Sequence, residues 1–114
     1  MKIEDFTFVI TTFNSENTIF KCLEKLPENS EKIIIENSNN AKLKNSLERN
    51  FSNLNCYLMD ENLGFGKANN IGIKKTKSKY VFILNPDVIF NNETFKNIIE
   101  ILKNEEFSIA APIN

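Results

Sequence analysis

Apolar residues in this chain follow two alternating rhythms. Dense runs occur at Phe6 to Phe13, Lys32 to Glu36, Leu54 to Met59 and Tyr80 to Leu84. Such short β-branched and aromatic runs predict strands, and the uncharged Tyr80 run reads as one buried on both faces. Between them, apolar positions recur every three or four residues, as on one face of a helix. Ile19, Cys22, Leu23 and Leu26 mark a first helix, with Ser15 as its N-cap, Glu16 in its first turn and Pro27 at its end. Leu43 and Leu47 mark a second, which follows the turn Asn37-Ser38-Asn39-Asn40 and ends near Asn50. Asp60 to Gly66 reads as a loop with two glycines, and a third helix runs from about Lys67 to Lys77, packing through Ala68, Ile71 and Gly72. The fourth strand stops before Pro86, because proline cannot donate to a ladder. Asn91-Asn92-Glu93 caps a fourth helix with Phe95, Ile98, Ile99 and Leu102 on its core face, and Phe107 to Ile113 predicts a further strand.

Strict alternation of strand and helix implies one α/β domain, a mainly parallel sheet with right-handed crossovers and helices on both faces. All strand carboxyl ends then share one edge, where open α/β sheets bind ligands. Four polar clusters fall on that edge: Thr11-Thr12-Phe13-Asn14, Glu36-Asn37-Ser38, Asp60 to Gly66, and Asn85-Pro86-Asp87.

Composition narrows the chemistry. At 114 residues the chain holds one domain with a real core. A net charge of −1 offers no basic field for nucleic acid and no polybasic membrane anchor. With no histidine, a Ser-His-Asp triad, a histidine base and the common histidine zinc sites are excluded. Cys22 and Cys56 stand in apolar contexts and read as small buried hydrophobes of a reducing cytosol. No apolar run approaches the ~20 residues of a membrane span, and Glu4 and Asp5 interrupt any signal peptide. The expected location is the cytoplasm, with attachment to the inner membrane face through further sequence left open. The asparagine pairs at 39–40, 69–70 and 91–92 read as composition rather than chemistry.

Each cluster has an ordinary and a functional reading. Thr11 to Asn14 makes a strand-to-helix turn or lines a ligand. Glu36 is a plain strand end or an acceptor for ribose hydroxyls and base N–H groups. Gly64-Phe65-Gly66 makes a turn or points backbone N–H groups at phosphate with a helix dipole behind them, and Lys67 is solvated or neutralises a diphosphate. Asp87 caps a turn or holds a divalent cation, since Mg²⁺ and Mn²⁺ take oxygen ligands and share substrate phosphates.

Phe8-Val9-Ile10-Thr11-Thr12-Phe13-Asn14, Ile33-Ile34-Ile35-Glu36-Asn37-Ser38, the stretch from Glu61 to Ile73 and Leu84-Asn85-Pro86-Asp87-Val88 together resemble the donor-binding half of a family 2 glycosyltransferase. The last two segments are most similar to its rhamnosyltransferase-like branch. The resemblance implies a Rossmann-like fold of the GT-A type, here truncated. Its donor is a nucleoside-diphosphate sugar, dTDP- or UDP-linked, with Mg²⁺ or Mn²⁺. The sugar passes to a hydroxyl of a glycan or lipid-linked acceptor, in bacterial surface polysaccharide synthesis. By the same resemblance Thr12 and Asn14 lie nearest the nucleotide and Glu36 holds base or ribose. The loop through Asn62, Gly64 and Gly66, with Asn69, closes over base and phosphates. Asp87 matches the metal-binding aspartate of the Asp-x-Asp motif and Asn85 its first position. Glu36 replaces the usual aspartate, and Asn85 leaves one carboxylate on the metal. The general base of inverting transfer lies beyond the metal motif in this family. Glu93, Glu100, Glu105 and Glu106 read as helix-surface residues, so the expectation is a donor half that binds nucleotide and does not turn over. The rival expectation is a non-catalytic nucleotide-binding or assembly module whose unprotected last strand pairs with another chain; a donor half that exposes an apolar face is also a candidate homo-oligomer. A nucleotidyltransferase would want a glycine- and basic-rich early loop, which Thr11 to Asn14 is not.

Overall fold

The structure is a computed structural model that describes residues 5–89 together with 91, 93, 96, 97, 99 and 100. Four parallel strands, β1 (Phe6–Thr12), β2 (Glu31–Glu36), β3 (Leu54–Leu58) and β4 (Tyr80–Leu84), form one sheet in the order β3-β2-β1-β4. In register, Val9 lies between Ile33 and Ile83, and Ile34 pairs with Cys56. Three helices connect them: α1 (Ile19–Glu24), α2 (Ala41–Asn50) and α3 (Gly64–Lys75).

Side chains alternate across a strand, so each strand builds two cores. Phe6, Phe8, Ile10, Ile34, Cys56, Phe82 and Leu84 face one way and are covered by Ile19, Cys22 and Leu23 of α1 and by Leu43 and Leu47 of α2. Phe82 stacks between Phe6 and Phe8, with ring centroids 5.0 and 5.4 Å away. Val9, Ile33 and Ile35 face the other way, under Ala68 of α3, with Ile71 and Val81 packed alongside. Helices therefore cover both faces, as the alternation predicted. No helix among the described residues is long and apolar enough to cross a membrane.

Two helices begin elsewhere than their sequence signals imply. Ser15 does not cap α1 with its side chain. Its hydroxyl folds back to accept from Phe13 N–H and donate to Phe13 O, while its carbonyl takes Thr18 N–H and Ile19 N–H. A turn thus precedes α1, which then closes through Lys25 N–H to Cys22 O and ends before Pro27. α3 starts at Gly64 instead of Lys67, so both glycines belong to its first turn. Asn62 Oδ1 accepts Gly64 N–H at 2.9 Å, and Gly64 supplies a φ of +80° that few other residues tolerate. Thr76 N–H closes α3 on Ile73 O, so the helix ends at Lys75 and not Lys77. α2 behaves as its pattern says: Asn40 Oδ1 caps it by accepting Leu43 N–H at 3.0 Å.

Beyond β4, residues 93, 96, 97, 99 and 100 are helical, and Ile99 packs against the α1/α2 core. The expected core positions Phe95, Ile98 and Leu102 and the strand expected over Phe107 to Ile113 lie outside the described residues.

Candidate functional site

The chain moves outward from β1 to β2 to β3, then returns across the opposite face to place β4 on the other side of β1. The reversal creates a crevice at the carboxyl ends of β1 and β4, the place where open α/β sheets hold ligands. β1 delivers Thr12, Phe13 and Asn14 to it, and β4 delivers Asn85, Pro86 and Asp87. β2 contributes Glu36, Asn37 and Ser38 beside them, and the first turn of α3 borders the β2 side, where Asn37 Nδ2 reaches Gly64 O at 3.5 Å.

Glu36 is the most enclosed of the expected site residues. Its side chain is completely buried, at 0% exposure. Oε1 accepts from Thr12 Oγ1 at 3.0 Å and Ser38 Oγ at 2.7 Å, and Oε2 from Ser38 N–H at 3.1 Å and Asn40 N–H at 2.8 Å. A buried carboxylate has to be compensated in this way. Its oxygens are turned to these protein donors. Thr12 is likewise buried, its hydroxyl spent on Glu36 and its carbonyl on Asn37 N–H at 2.8 Å. Asn69 is half-buried. It accepts through Oδ1 from Thr11 Oγ1 at 2.6 Å, which ties α3 to β1.

The remaining predicted residues are open. Asn14 is exposed at a φ of +51°, with its N–H on Ser38 Oγ at 3.2 Å. Asn62, Gly64, Gly66 and Lys67 are all exposed, and a Cβ added at either glycine would meet nothing within 4 Å. The first turn of α3 is therefore accessible on the side where a helix leaves N–H donors without intrahelical partners. Asn85 is half-buried; its carbonyl accepts Val88 N–H at 3.2 Å and lies 4.0 Å from Cys22 Sγ. Asp87 is exposed, and its charge reaches inward. Burial first, and the negative charge of Asp87 second, push the Cys22 thiol up to about 12. Phe13, Phe65 and Ile89, each near half exposed, give this edge an apolar rim.

Among the described residues no three His, Cys, Asp or Glu side chains converge. Asp87 alone fits a hard cation that takes its other ligands from phosphate oxygens and water, which is the habit of Mg²⁺, and does not fit a metal caged by protein.

Asn37 escaped the sequence reasoning, which gave it no role of its own. It is 2% exposed, and its Oδ1 has no hydrogen-bond partner. Between a carboxylate and a serine it has the appearance of an ordinary turn residue; only its burial against α3 singles it out. Surface hollows also occur at the amino end of the sheet. One of them includes Lys32, whose ammonium is occupied by the carbonyls of Glu28 and Ser52 at 3.0 and 3.4 Å. It has no part in the strand-end site.

Comparison with known proteins agrees with this geometry. The model of glycosyl transferase family 2 matches residues 7–113. The low-salt glycan biosynthesis hexosyltransferase Agl10 of Haloferax volcanii is 23% identical over 96% of this chain and 36% of its own length. The rhamnosyltransferase WbbL of Escherichia coli is 26% identical over 90% of this chain and 42% of its own. The minor teichoic acid biosynthesis protein GgaB of Bacillus subtilis is 25% identical over 96% of this chain and 13% of its own. A crystal structure of S. aureus TarS, residues 1–349, superposes with a TM-score of 0.71 at 25% identity, covering 86% of this chain and 32% of that one. The chain thus spans less than half the length of each of these relatives. With a family model matching nearly its whole length on a parallel sheet of the same fold, the chain belongs to glycosyl transferase family 2.

Proposed function

We propose that this chain is the donor-binding part of a glycosyltransferase that moves a sugar from a nucleoside diphosphate, UDP or dTDP, to a hydroxyl of a glycan or lipid-linked acceptor. The pathway we favour is surface glycan synthesis in the cytoplasm or at its membrane face; Agl10 is named for glycan biosynthesis and GgaB for teichoic acid biosynthesis. The observation that carries the reading is the reversal of strand order between β1 and β4, with exposed Asp87 and Asn14 at its two lips.

In this reading Asn14, Asn62, Gly64, Gly66 and Lys67 form the contact surface. The first turn of α3 takes phosphate oxygens, because its N–H groups and the helix dipole favour negative charge there. Lys67 adds a mobile positive charge. Thr12 and Asn69, committed to Glu36 and Thr11, hold that surface from behind. Asp87 holds Mg²⁺ or Mn²⁺, with Asn85 beside it. When bound, the cation supplies a Lewis acid that offsets charge on the departing diphosphate. Acceptor binding and the base that takes the acceptor's proton are assigned to the full-length protein.

Calorimetry with UDP, dTDP and GDP, each with and without Mn²⁺, tests the site. Metal-dependent binding of UDP or dTDP is expected, weakened at least about tenfold in Asp87→Ala, or ~1.4 kcal/mol. Asp87 is exposed, so this variant keeps its fold. A cooperatively folded chain that binds none of the three overturns the donor site in favour of an assembly module.

A further inference from the structure

The net charge of −1 conceals a segregation. From Asn62 to Pro86 the chain carries five lysines and no acidic residue. Four of them fall in the run Lys74-Lys75-Thr76-Lys77-Ser78-Lys79, where α3 ends and the chain enters β4. All four are exposed, and among the described residues none of them takes part in an ion pair. Lys74 and Lys75 stand in the last turn of α3, where they suit the helix dipole. Lys77 and Lys79 lie beyond the helix, and the dipole does not account for them. The connection that carries them is tied down. Thr76 N–H closes on Ile73 O at 3.2 Å, and Thr76 Oγ1 accepts Ser78 N–H at 3.1 Å. The Ser78 hydroxyl bonds that of Thr7, a buried residue of β1. Thr76 and Ser78 are thus half-buried, while the lysines between and beside them stay in solvent. Lys75 Nζ lies 4.2 Å from the centre of the Tyr57 ring and Lys79 Nζ 5.8 Å from that of Tyr80, so both cations are braced by ring faces. Ile73, 38% exposed, stands beside the row.

We propose that the row Lys74, Lys75, Lys77 and Lys79, with Ile73 beside it, docks this chain on a bilayer of anionic phospholipid. Ammonium groups crowded without counter-charges repel one another, and a surface of phosphate headgroups relieves that repulsion. Each lysine brought to such a surface is worth roughly fivefold in affinity. Ile73 offers an apolar side chain to the boundary of the acyl region, which a soluble polyanion cannot use. Tyr57 and Tyr80 are half-buried beneath lysines, so the open ring faces on which single-stranded nucleic acid stacks are not provided by them. The row also lies at the far end of α3 from the crevice. The helix has 12 residues and is therefore ~18 Å long, with Gly64 and Gly66 at one end and the lysines at the other. Docking leaves the strand-end crevice open to solvent. The inference goes beyond the donor-site reading and stands without it, because the docking needs no nucleotide.

Co-sedimentation with vesicles, in the absence of nucleotide, tests the row. The chain is expected to bind vesicles of equal parts phosphatidylglycerol and phosphatidylcholine, to leave them as salt is added, and to ignore vesicles of phosphatidylcholine alone. Lys74→Gln/Lys77→Gln/Lys79→Gln is expected to lose about a hundredfold in affinity, at roughly fivefold per lysine. Lys21→Gln/Lys25→Gln/Lys42→Gln removes the same charge from α1, the turn after it and α2, and is expected to stay within about threefold of wild type, since distant exposed charges are screened. All six lysines are exposed, and far-UV circular dichroism checks that both variants keep the fold. Equal losses in the two variants overturn the proposal, because net charge and not the row then governs binding. A folded wild type that sediments with neither kind of vesicle overturns it as well. Ile73→Ser is expected to weaken vesicle binding severalfold and to leave the binding of polyphosphate, a soluble polyanion, unchanged. Polyphosphate held as tightly as the anionic vesicles, with Ile73→Ser without effect on either, overturns the bilayer as the partner. Nucleotide titrations are read separately, so a failed donor site and a failed docking surface are told apart.

Discussion

Gly66 and Gly72 lie on the same helix, and their surroundings are opposite. A Cβ at Gly72 would come within 2.5 Å of Val9 Cγ1 and 3.4 Å of Ile35 Cγ1, both on buried, β-branched side chains with little room to turn. Gly72→Ala is therefore expected to cost ~1–3 kcal/mol, read as a lower urea midpoint at unchanged slope. At Gly66 a Cβ meets nothing within 4 Å. Gly66→Ala is expected to raise stability by ~0.4–1 kcal/mol through the unfolded chain, and to weaken UDP binding by crowding the first turn of α3. The same substitution at two glycines thus separates packing from ligand approach. Glu36 teaches a related lesson: residue type and place were legible at the end of a strand, but the direction of its carboxylate was not, since that depended on Thr12 arriving from another strand.

Elements protect one another as well as pack. Lys32 N–H bonds to Asn53 O, and Met59 N–H to Glu36 O, so odd-numbered residues of β3 face β2. Cys56 then turns its N–H and carbonyl to the free side, on what is an edge strand among the described residues. α2 covers both groups: Glu48 Oε2 accepts Cys56 N–H at 2.9 Å, and Lys44 Nζ donates to Cys56 O at 2.9 Å and to Glu48 Oε1 at 2.7 Å. The pair stands where a further strand would bond. A partly exposed (i, i+4) ion pair contributes only ~0.3–0.5 kcal/mol by itself; the larger gain is a blocked edge. The Lys44→Ala/Glu48→Ala variant is expected to lose ~1 kcal/mol in denaturation and to self-associate at concentrations where wild type does not, as read by light scattering. The Cys56 N–H first, then Lys44, holds the Glu48 carboxyl below its ordinary value of 4.5. Its contribution is accordingly present above pH 4.5 and disappears as pH falls through the lowered value, so acid should promote the same association.

Across the whole molecule, both cysteines belong to the single core under α1 and α2. Burial is the largest cause that pushes each thiol from 9.0 up to about 12. At pH 8 both are expected to resist a disulfide reagent and then to react together, in step with loss of far-UV circular dichroism during urea unfolding. One thiol reacting well before the other would show that α1 or β3 opens separately. The sign of the pH effect follows from the raised values. The neutral thiols contribute fully below about pH 9 and that contribution fades as pH rises toward 12, so stability should decline in alkali.

The four strands and α2 were legible within a residue or so: β1 and β2, buried almost throughout, cannot avoid dense apolar runs, the partly buried β3 and β4 keep apolar residues toward the helices, and α2 cannot avoid the Leu43/Leu47 spacing. The start of α3 was not, since glycines disfavour helices in isolation and only the Asn62 bond and the φ of Gly64 let one begin there. Ser15 misled for a similar reason, its hydroxyl having a closer partner in Phe13 than in the helix ahead. Local pattern determined the elements, their alternation and hence a parallel sheet with its polar residues on one edge. Only the tertiary structure decided that β4 pairs with β1 and not with β3, which puts Asp87 across the crevice from Asn14. It alone decided that Glu36 and Thr12 turn inward and Asn69 bonds Thr11 while Asn62, Gly64, Gly66 and Lys67 stay open. Neighbours along the chain set periodicity, whereas strand order and the aim of a polar side chain depend on partners far away in sequence.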